Sequence, residues 1–246
     1  VHQMAKAWQD SLKLPAYKVN SESYLAMIDG LIYGDDPRQG FVEGNTFYHP
    51  LLKFKFPFPA GWQLENQPSQ VNIAPADGRA LMVFTLAQGN SLQEAASNTL
   101  QQLQLTPQET KNSTVNGMPA ITTISQQNIQ DQATGQTQTN LVVSNFIQYD
   151  NAYYVFHGVS TDEDFNVYFG AFGLTMNGFS KLTEGSKLNV KPKKIIIKKI
   201  PRTGSFANAL KTMGIPENQM NELSILNNLE LNDQVQVGRL IKTIGY

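Results

Sequence analysis

Apolar residues spaced four positions apart predict an amphipathic helix over residues 1–12: Met4, Trp8 and Leu12. A second helix is predicted over 21–33, where Ser21 is a suitable N-cap and an apolar stripe follows at helical spacing. The first helical pattern is already under way at Met4 and no initiator methionine precedes it. We therefore expect the chain to be a piece of a longer protein.

The period of the apolar positions changes from 3.6 to 2 after residue 50. The stretch "FKFPFP" (54–59) predicts a strand with one apolar face, and its prolines place it at a sheet edge or a strand end. The stretch "RALMVFTLA" (79–87) predicts a buried strand. A helix is predicted over 91–103, because Ser91 and Glu94 have the spacing of a capping box.

Three further strand patterns predict an antiparallel meander, at about 118–129, 137–149 and 152–160. Asp150 and Asn151 suit a two-residue hairpin turn, because both residue types tolerate positive φ. A helix with aromatic residues at steps of three and four follows from the N-cap Thr161. The predicted fold class is α+β, with N-terminal helices and a central antiparallel sheet packed by helices as an α/β/α sandwich.

The last 60 residues differ from the rest in charge. Residues 1–186 contain 9 Lys+Arg against 16 Asp+Glu (−7), whereas residues 187–246 contain 10 against 4 (+6). A linker is predicted over 183–192, followed by a strand over 193–200, helices near 205–213 and 216–226, and a closing strand or hairpin. The change of sign and the linker together predict a separate C-terminal module.

The pattern of reactive residues predicts no catalytic or metal-binding residue in this chain. The three histidines, His2, His49 and His157, show no His-Glu-x-x-His spacing, and the chain has no cysteine. The acidic run "TDED" (161–164) suits a helix N-terminus. No apolar run approaches the roughly 20 residues of a membrane span. The net charge of −1 and the lack of aromatic residues among the lysines argue against nucleic acid as a partner.

Lysines cluster around the predicted strand at 193–200, with Arg202 close behind: Lys191, Lys193, Lys194, Lys198 and Lys199. One interpretation is a surface for an anionic partner, such as a phosphoglycan or an acidic membrane surface. The other is a solvated edge strand whose lysines prevent aggregation. The sequence leaves both interpretations open.

The stretch "YLAMIDGLIYGDDPRQGFVEGNTFYHPLLKFKFPFPAGW" (24–62) resembles a segment of secreted bacterial zinc metalloproteases. These belong to the HtpX/BepA-like, CAAX-prenyl-protease-related family, in which the segment follows the catalytic domain. The resemblance implies that zinc and the catalytic residues belong to a missing upstream domain, with no cofactor in this fragment. It implies a periplasmic or otherwise extracytoplasmic accessory region that positions the enzyme or its protein substrates. The implied partners are the upstream peptidase domain and envelope proteins.

Two further resemblances divide the rest of the chain. Residues 54–182 resemble a photosystem-extrinsic-subunit sandwich at "FKFPFPAGW", "VNGMPAI" and "FGLTMNGFSKL". Residues 193–246 resemble a degenerate LysM-like module at "LNNLELNDQVQVGRLIKTI", with "TGS" (203–205) in place of the usual Gly-Asp-Thr. The predicted domains are a helical tail and linker (1–44), a sandwich (45–183) and a LysM-like module (190–246).

The LysM-like resemblance implies a glycan groove between the loops 202–206 and 226–231. Its candidate ligand contacts are Arg202, Phe206, Asn227 and Asn228. Asparagine amides suit sugar hydroxyl and N-acetyl groups. A peptidoglycan-binding module and a purely structural scaffold therefore stand as alternatives to the accessory role.

Overall fold

The computed structural model describes Met4, Ser11, 21–130 and 137–246. The helix predicted over 1–12 lies almost entirely outside these residues, so it stays a prediction. The chain forms two compact units. Unit 1 combines the residues up to Asp36 with those from Lys191 onward, and unit 2 spans Pro37–Val190. In sequence, unit 2 is therefore an insertion into unit 1.

The helices and strands up to residue 190 occur in the following order along the chain. Unit 1 begins with helix α1 (Ser21–Ile28). Unit 2 then contains a short 3-10 helix (Pro37–Gln39), β1 (Phe41–Glu43), β2 (Thr46–His49), β3 (Phe54–Pro57), β4 (Gln63–Asn66), β5 (Gln70–Ala74), β6 (Ala80–Ala87) and α2 (Leu92–Gln102). The rest of unit 2 comprises β7 (Thr106–Val115), β8 (Met118–Gln130), β9 (Thr137–Tyr149), β10 (Ala152–Thr161), α3 (Asp162–Gly178), β11 (Ser180–Lys181) and α4 (Gly185–Leu188).

Unit 2 is built on a seven-stranded antiparallel sheet with the order β4-β5-β6-β10-β9-β8-β7. Buried residues of α2 pack on one face of this sheet, in a cluster with Phe146 and Val155. Helix α3 and strand β3 pack on the other face, where Phe84 and Phe156 have ring centroids 4.4 Å apart. Helices on both faces of an antiparallel sheet confirm the predicted α+β class.

A second, four-stranded sheet of order β1-β2-β3-β11 corrects the interpretation of residues up to 44 as helix and linker. Strands β1 and β2 form a hairpin, and Phe47 at the centre of β2 is fully buried. Gly40 precedes this hairpin with a φ of +127°, and a Cβ there would lie 2.5 Å from the Phe47 ring. Residues 41–49 therefore form a tight hairpin whose aromatic residue Phe47 enters the core.

Several local predictions in unit 2 are confirmed. The Ser91 hydroxyl accepts a hydrogen bond from the Glu94 amide at the start of α2, as its spacing predicts. Thr161 caps α3 in the same way through the Asp164 amide. Asp150 has a φ of +49° in the turn between β9 and β10.

Strand β7 was not predicted from the sequence. Its residues "TPQETKNSTV" are almost all exposed, so neither of its faces carries an apolar alternation. The strand pairs with β8 along its length, with one register shift between Pro107 and Glu109. The position of β7 at the edge of the sheet is therefore determined by its backbone hydrogen bonds to β8 rather than by burial of its side chains.

The C-terminal part of unit 1 contains β12 (Lys194–Lys199), β13 (Gly204–Ser205), α5 (Phe206–Thr212), α6 (Glu217–Asn227), β14 (Gln234–Val235) and β15 (Leu240–Gly245). Strands β12 and β15 pair antiparallel. The strand–helix–helix–strand order is as predicted. Its core consists of fully buried apolar side chains: Phe206, Leu210, Leu223, Val235 and Ile241.

Residues 29–33 pair with β12, an arrangement the sequence analysis did not predict. The Gly30 amide donates to the Ile195 carbonyl at 2.8 Å, and the Tyr33 amide donates to the Lys193 carbonyl at 2.8 Å. Helix α1 therefore ends at Ile28 rather than at residue 33. Because residues 29–33 cover one side of β12 and β15 covers the other, the interpretation of β12 as an edge strand is wrong. The predicted division at 1–44, 45–183 and 190–246 otherwise stays a prediction.

Candidate functional site

The four residues predicted to contact glycan have different environments in unit 1. Phe206 is fully buried in the core, so its ring presents no face to solvent. The Asn227 amide nitrogen donates to the carbonyls of Leu223 and Lys242, at 2.9 and 2.8 Å. Its oxygen accepts from the Lys242 amide at 2.8 Å. The Asn227 side chain thus ties the end of α6 to β15.

The other two predicted contacts, Arg202 and Asn228, are exposed. Asn228 has a φ of +51° and caps the C-terminus of α6, a position that favours asparagine or glycine. The glycan site predicted in these loops is not tested by the structure. Two of its four residues have structural roles: Phe206 is part of the core and Asn227 hydrogen-bonds to the backbone.

The predicted lysine patch is present as a set of exposed side chains around β12: Lys191, Lys193, Lys194, Lys198 and Lys199. Within the described ranges, none of these side chains forms an ion pair. In the register of β12 and β15, Lys199 lies opposite Leu240 and Ile197 lies opposite Lys242. Lys199 and Lys242 therefore share one face of the sheet as diagonal neighbours.

A groove of about 400 Å³ lies in unit 1 between α1 and the start of β15. Glu22 and Tyr24 line it from α1, and Arg239 and Lys242 line it from the C-terminal segment. The Tyr24 side chain is 56% exposed. Sequence reasoning missed this site, because its two halves lie at opposite ends of the chain.

The outer side of α3 in unit 2 presents exposed apolar side chains beside the exposed Asn166 and Asn177. Val167 is 65% exposed, Leu174 is 50% exposed and Phe169 is 45% exposed. Val167, Gly170 and Leu174 follow at steps of three and four and so lie on one helical face. The exposed carboxylates Asp162 and Glu163 mark the N-terminal end of this surface.

A buried polar row crosses the large sheet on its α2 face. His157 pairs with Ser144 across β10 and β9, and Ser144 pairs with Thr123 across β9 and β8. The Ser144 hydroxyl lies 2.8 Å from Nδ1 of His157, and burial lowers the pKa of His157 to about 4. A serine hydroxyl beside an imidazole is the arrangement of an activated nucleophile, but both side chains are shielded from solvent here.

Three atoms of this region are buried without a hydrogen-bond partner: Nε2 of His157, Oγ1 of Thr123 and Oγ of Ser125. His49 is structural as well, since its Nδ1 accepts from the Leu52 amide and burial lowers its pKa. Neither histidine therefore lies in an open site. His2 lies outside the described residues.

No group of three His, Cys, Asp or Glu side chains in the described ranges is placed to hold a metal ion. No helix in the described part of the chain is both long and apolar enough to cross a bilayer.

Comparison with known proteins gives only distant similarities. No family model and no curated protein sequence matches the chain. A crystal structure from Bacteroides thetaiotaomicron matches with a TM-score of 0.40 and 11% identity, over 76% of this chain and 59% of that one. Cyanobacterial PsbP from Synechocystis matches with a TM-score of 0.40 and 8% identity, over 55% of this chain and 91% of that one. LpqN, involved in cell envelope biogenesis of Mycobacterium tuberculosis, matches with a TM-score of 0.39 and 15% identity, over 69% and 100%.

These similarities are too weak to carry an argument about function. None of the matches supports a zinc metalloprotease parent.

Proposed function

We propose that the chain is a non-catalytic, extracytoplasmic accessory region of an envelope zinc metalloprotease, and that unit 2 positions protein substrates for the enzyme. The peptidase parent and the location come from the sequence resemblance. The observation that supports a substrate-positioning role is the exposed apolar face of α3. Contiguous exposed apolar surface on a folded protein commonly marks a protein-binding site.

The chemistry of the α3 face indicates the kind of segment it binds. Val167 and Leu174 give two apolar contacts about two helical turns apart. Asp162 and Glu163 at the N-terminal end favour basic residues on the partner. The expected substrate is an unfolded protein segment with an apolar centre and a basic flank.

Gly170 supports the same role, because the fold does not require a glycine there. A Cβ at Gly170 would meet nothing within 4 Å. Glycine in an exposed helix interior costs roughly 0.5–1 kcal/mol relative to alanine. A glycine between Val167 and Leu174 leaves a shallow depression in which the backbone of a bound segment fits.

Photo-crosslinking tests this proposal. A photoreactive amino acid replaces Val167 in the full chain, and a matched variant carries it at Val237, which is 62% exposed in unit 1. An unstructured synthetic peptide with an apolar centre and a lysine-rich flank serves as the unfolded client. We expect crosslinks from position 167 that the Leu174→Glu substitution abolishes, and few from position 237. Equal crosslinking from both positions, or none from 167, would overturn the substrate-positioning role.

The peptidoglycan-binding alternative concerns unit 1 and stays a prediction. Arg202 and Asn228 are exposed, which favours it, whereas Phe206 and Asn227 serve the fold. A pull-down of the full chain with purified peptidoglycan tests it directly. A chain that captures neither peptidoglycan nor unfolded client would be a structural scaffold.

A further inference from the structure

We propose that the groove between α1 and β15 binds an acidic saccharide, one whose sugar units carry carboxylate groups. The groove belongs to unit 1 and uses none of the α3 residues, so this proposal does not depend on the substrate-positioning role. It shares Asn227 with the predicted glycan loops, but its other lining residues come from α1 and from residues 238–242. Its volume of about 400 Å³ lies within the range of small-ligand sites.

The charges around the groove favour an anionic ligand. Arg239 and Lys242 line it, and among the described residues that line it Glu22 is the one with an acidic side chain. Lys199 adds a third positive charge, because it shares the sheet face of Lys242 through its register with Leu240. Neither Arg239, Lys242 nor Lys199 forms an ion pair within the described residues. A guanidinium and an ammonium group are therefore available for a carboxylate.

The other lining groups favour a sugar over a simple anion. Tyr24 presents a half-exposed ring with an apolar face and a polar hydroxyl, which suits the C–H face and hydroxyl groups of a sugar ring. The Glu22 carboxylate accepts hydrogen bonds only, and sugar hydroxyls are donors. A bare carboxylate or phosphate ion could accept a hydrogen bond from the Tyr24 hydroxyl, but it has no C–H face to pack on the ring, and the Glu22 carboxylate would repel it.

The groove is poorly suited to an extended peptide. Peptides often bind by adding a strand to a sheet edge, which needs free main-chain groups. Along β15, the amide and the carbonyl of Lys242 are both bonded to the side chain of Asn227. The backbone amide and carbonyl of Lys242 are therefore not available to pair with an added strand next to the groove.

Calorimetric titration of the full chain with short oligogalacturonides tests the proposal, with cello-oligosaccharides of equal length as the neutral probe. We expect binding of the acidic series only. Arg239→Gln and Lys242→Gln should each weaken binding about tenfold, as expected for loss of one charge-assisted contact. Tyr24→Ala should weaken it similarly, whereas Tyr24→Phe should retain most of the affinity. Lys111→Gln in unit 2 and Tyr246→Ala in unit 1 serve as matched controls and should bind normally.

Three results would overturn the proposal. The first is equal binding of the neutral and acidic series. The second is an equal loss of affinity in the groove variants and in the controls. The third is binding of inorganic polyphosphate as tightly as the oligogalacturonides, because a non-specific cationic surface would then explain the data. Circular dichroism of each variant confirms that it is folded.

Discussion

At the scale of single residues, His157 couples the stability of unit 2 to pH. Burial lowers its pKa from 6.5 to about 4 in the folded chain. Between these values the unfolded state binds more protons, so the free energy of unfolding rises with pH across this window. Acidification from pH 7 to 4 should therefore remove stability on the order of 3 kcal/mol, from about 1.4 kcal/mol per pKa unit.

Urea unfolding at a series of pH values between 7 and 4 measures this effect. The His157→Gln variant should lose most of the pH dependence, even if it is less stable at pH 7. His49→Asn is the matched control, and it should retain the contribution of His157. An unchanged slope in His157→Gln would show that another group is responsible.

Residue identity alone did not reveal what each side chain does. Asn227 was a candidate glycan contact because its amide can bind sugar, but the same amide bonds the backbone of Lys242. Phe206 was a candidate ring, but it is fully buried. Tyr24 supplies an exposed ring at the groove, and its position there depends on a contact between distant parts of the chain.

At the scale of secondary-structure elements, the segment 29–33 holds β12 in place. The Asp29 carboxylate accepts a hydrogen bond from the Ile197 amide at 2.9 Å. Asp29→Ala should therefore lower the free energy of unfolding of unit 1 by about 1 kcal/mol, the usual value for a partly exposed hydrogen bond. Chemical denaturation followed by amide signals of β12 measures it, with Asp35→Ala as the control. Equal stabilities of the two variants would contradict the prediction.

The two glycines Gly170 and Gly158 should respond to alanine in opposite directions. Gly170→Ala should stabilise unit 2 by roughly 0.5–1 kcal/mol and reduce client crosslinking, because helix propensity improves while the depression on α3 is filled. Gly158→Ala should destabilise unit 2, because its Cβ would lie 2.5 Å from the Phe172 ring. Thermal unfolding measures both. A destabilising Gly170→Ala would show that the fold itself requires this glycine.

Elements that carry an apolar period or a cap could be predicted from the sequence, and the others could not. Helix α2 has the buried face that its sequence predicts, and the start of α3 was predicted from its cap, although its exposed Val167, Phe169 and Leu174 were not. Strand β7 and the segment 29–33 are fixed by backbone hydrogen bonds to other strands. All residue types except proline can both donate and accept such bonds, so the bonds leave no side-chain pattern from which to predict the strand.

At the scale of the whole molecule, unit 1 is assembled from both ends of the described chain. The fragment 191–246 alone lacks the segment that covers β12, so it should be less stable than a fusion of 21–36 to 191–246 through a flexible linker. Thermal unfolding of the two proteins measures the difference. Equal midpoints would show that the C-terminal strand–helix–helix–strand module is self-sufficient.

The same discontinuity sets the order in which the molecule can fold. The hydrogen bond between Asp29 and Ile197 joins residues 168 positions apart, so in an unfolded chain it closes a very long loop. An ion pair between Lys187 and Glu43 links the two ends of unit 2 and so shortens that loop once unit 2 has folded. Unit 1 should then complete its sheet late, at a rate governed by unit 2. During synthesis on a ribosome, residues 29–33 can therefore pair with β12 only after the whole intervening sequence has been made.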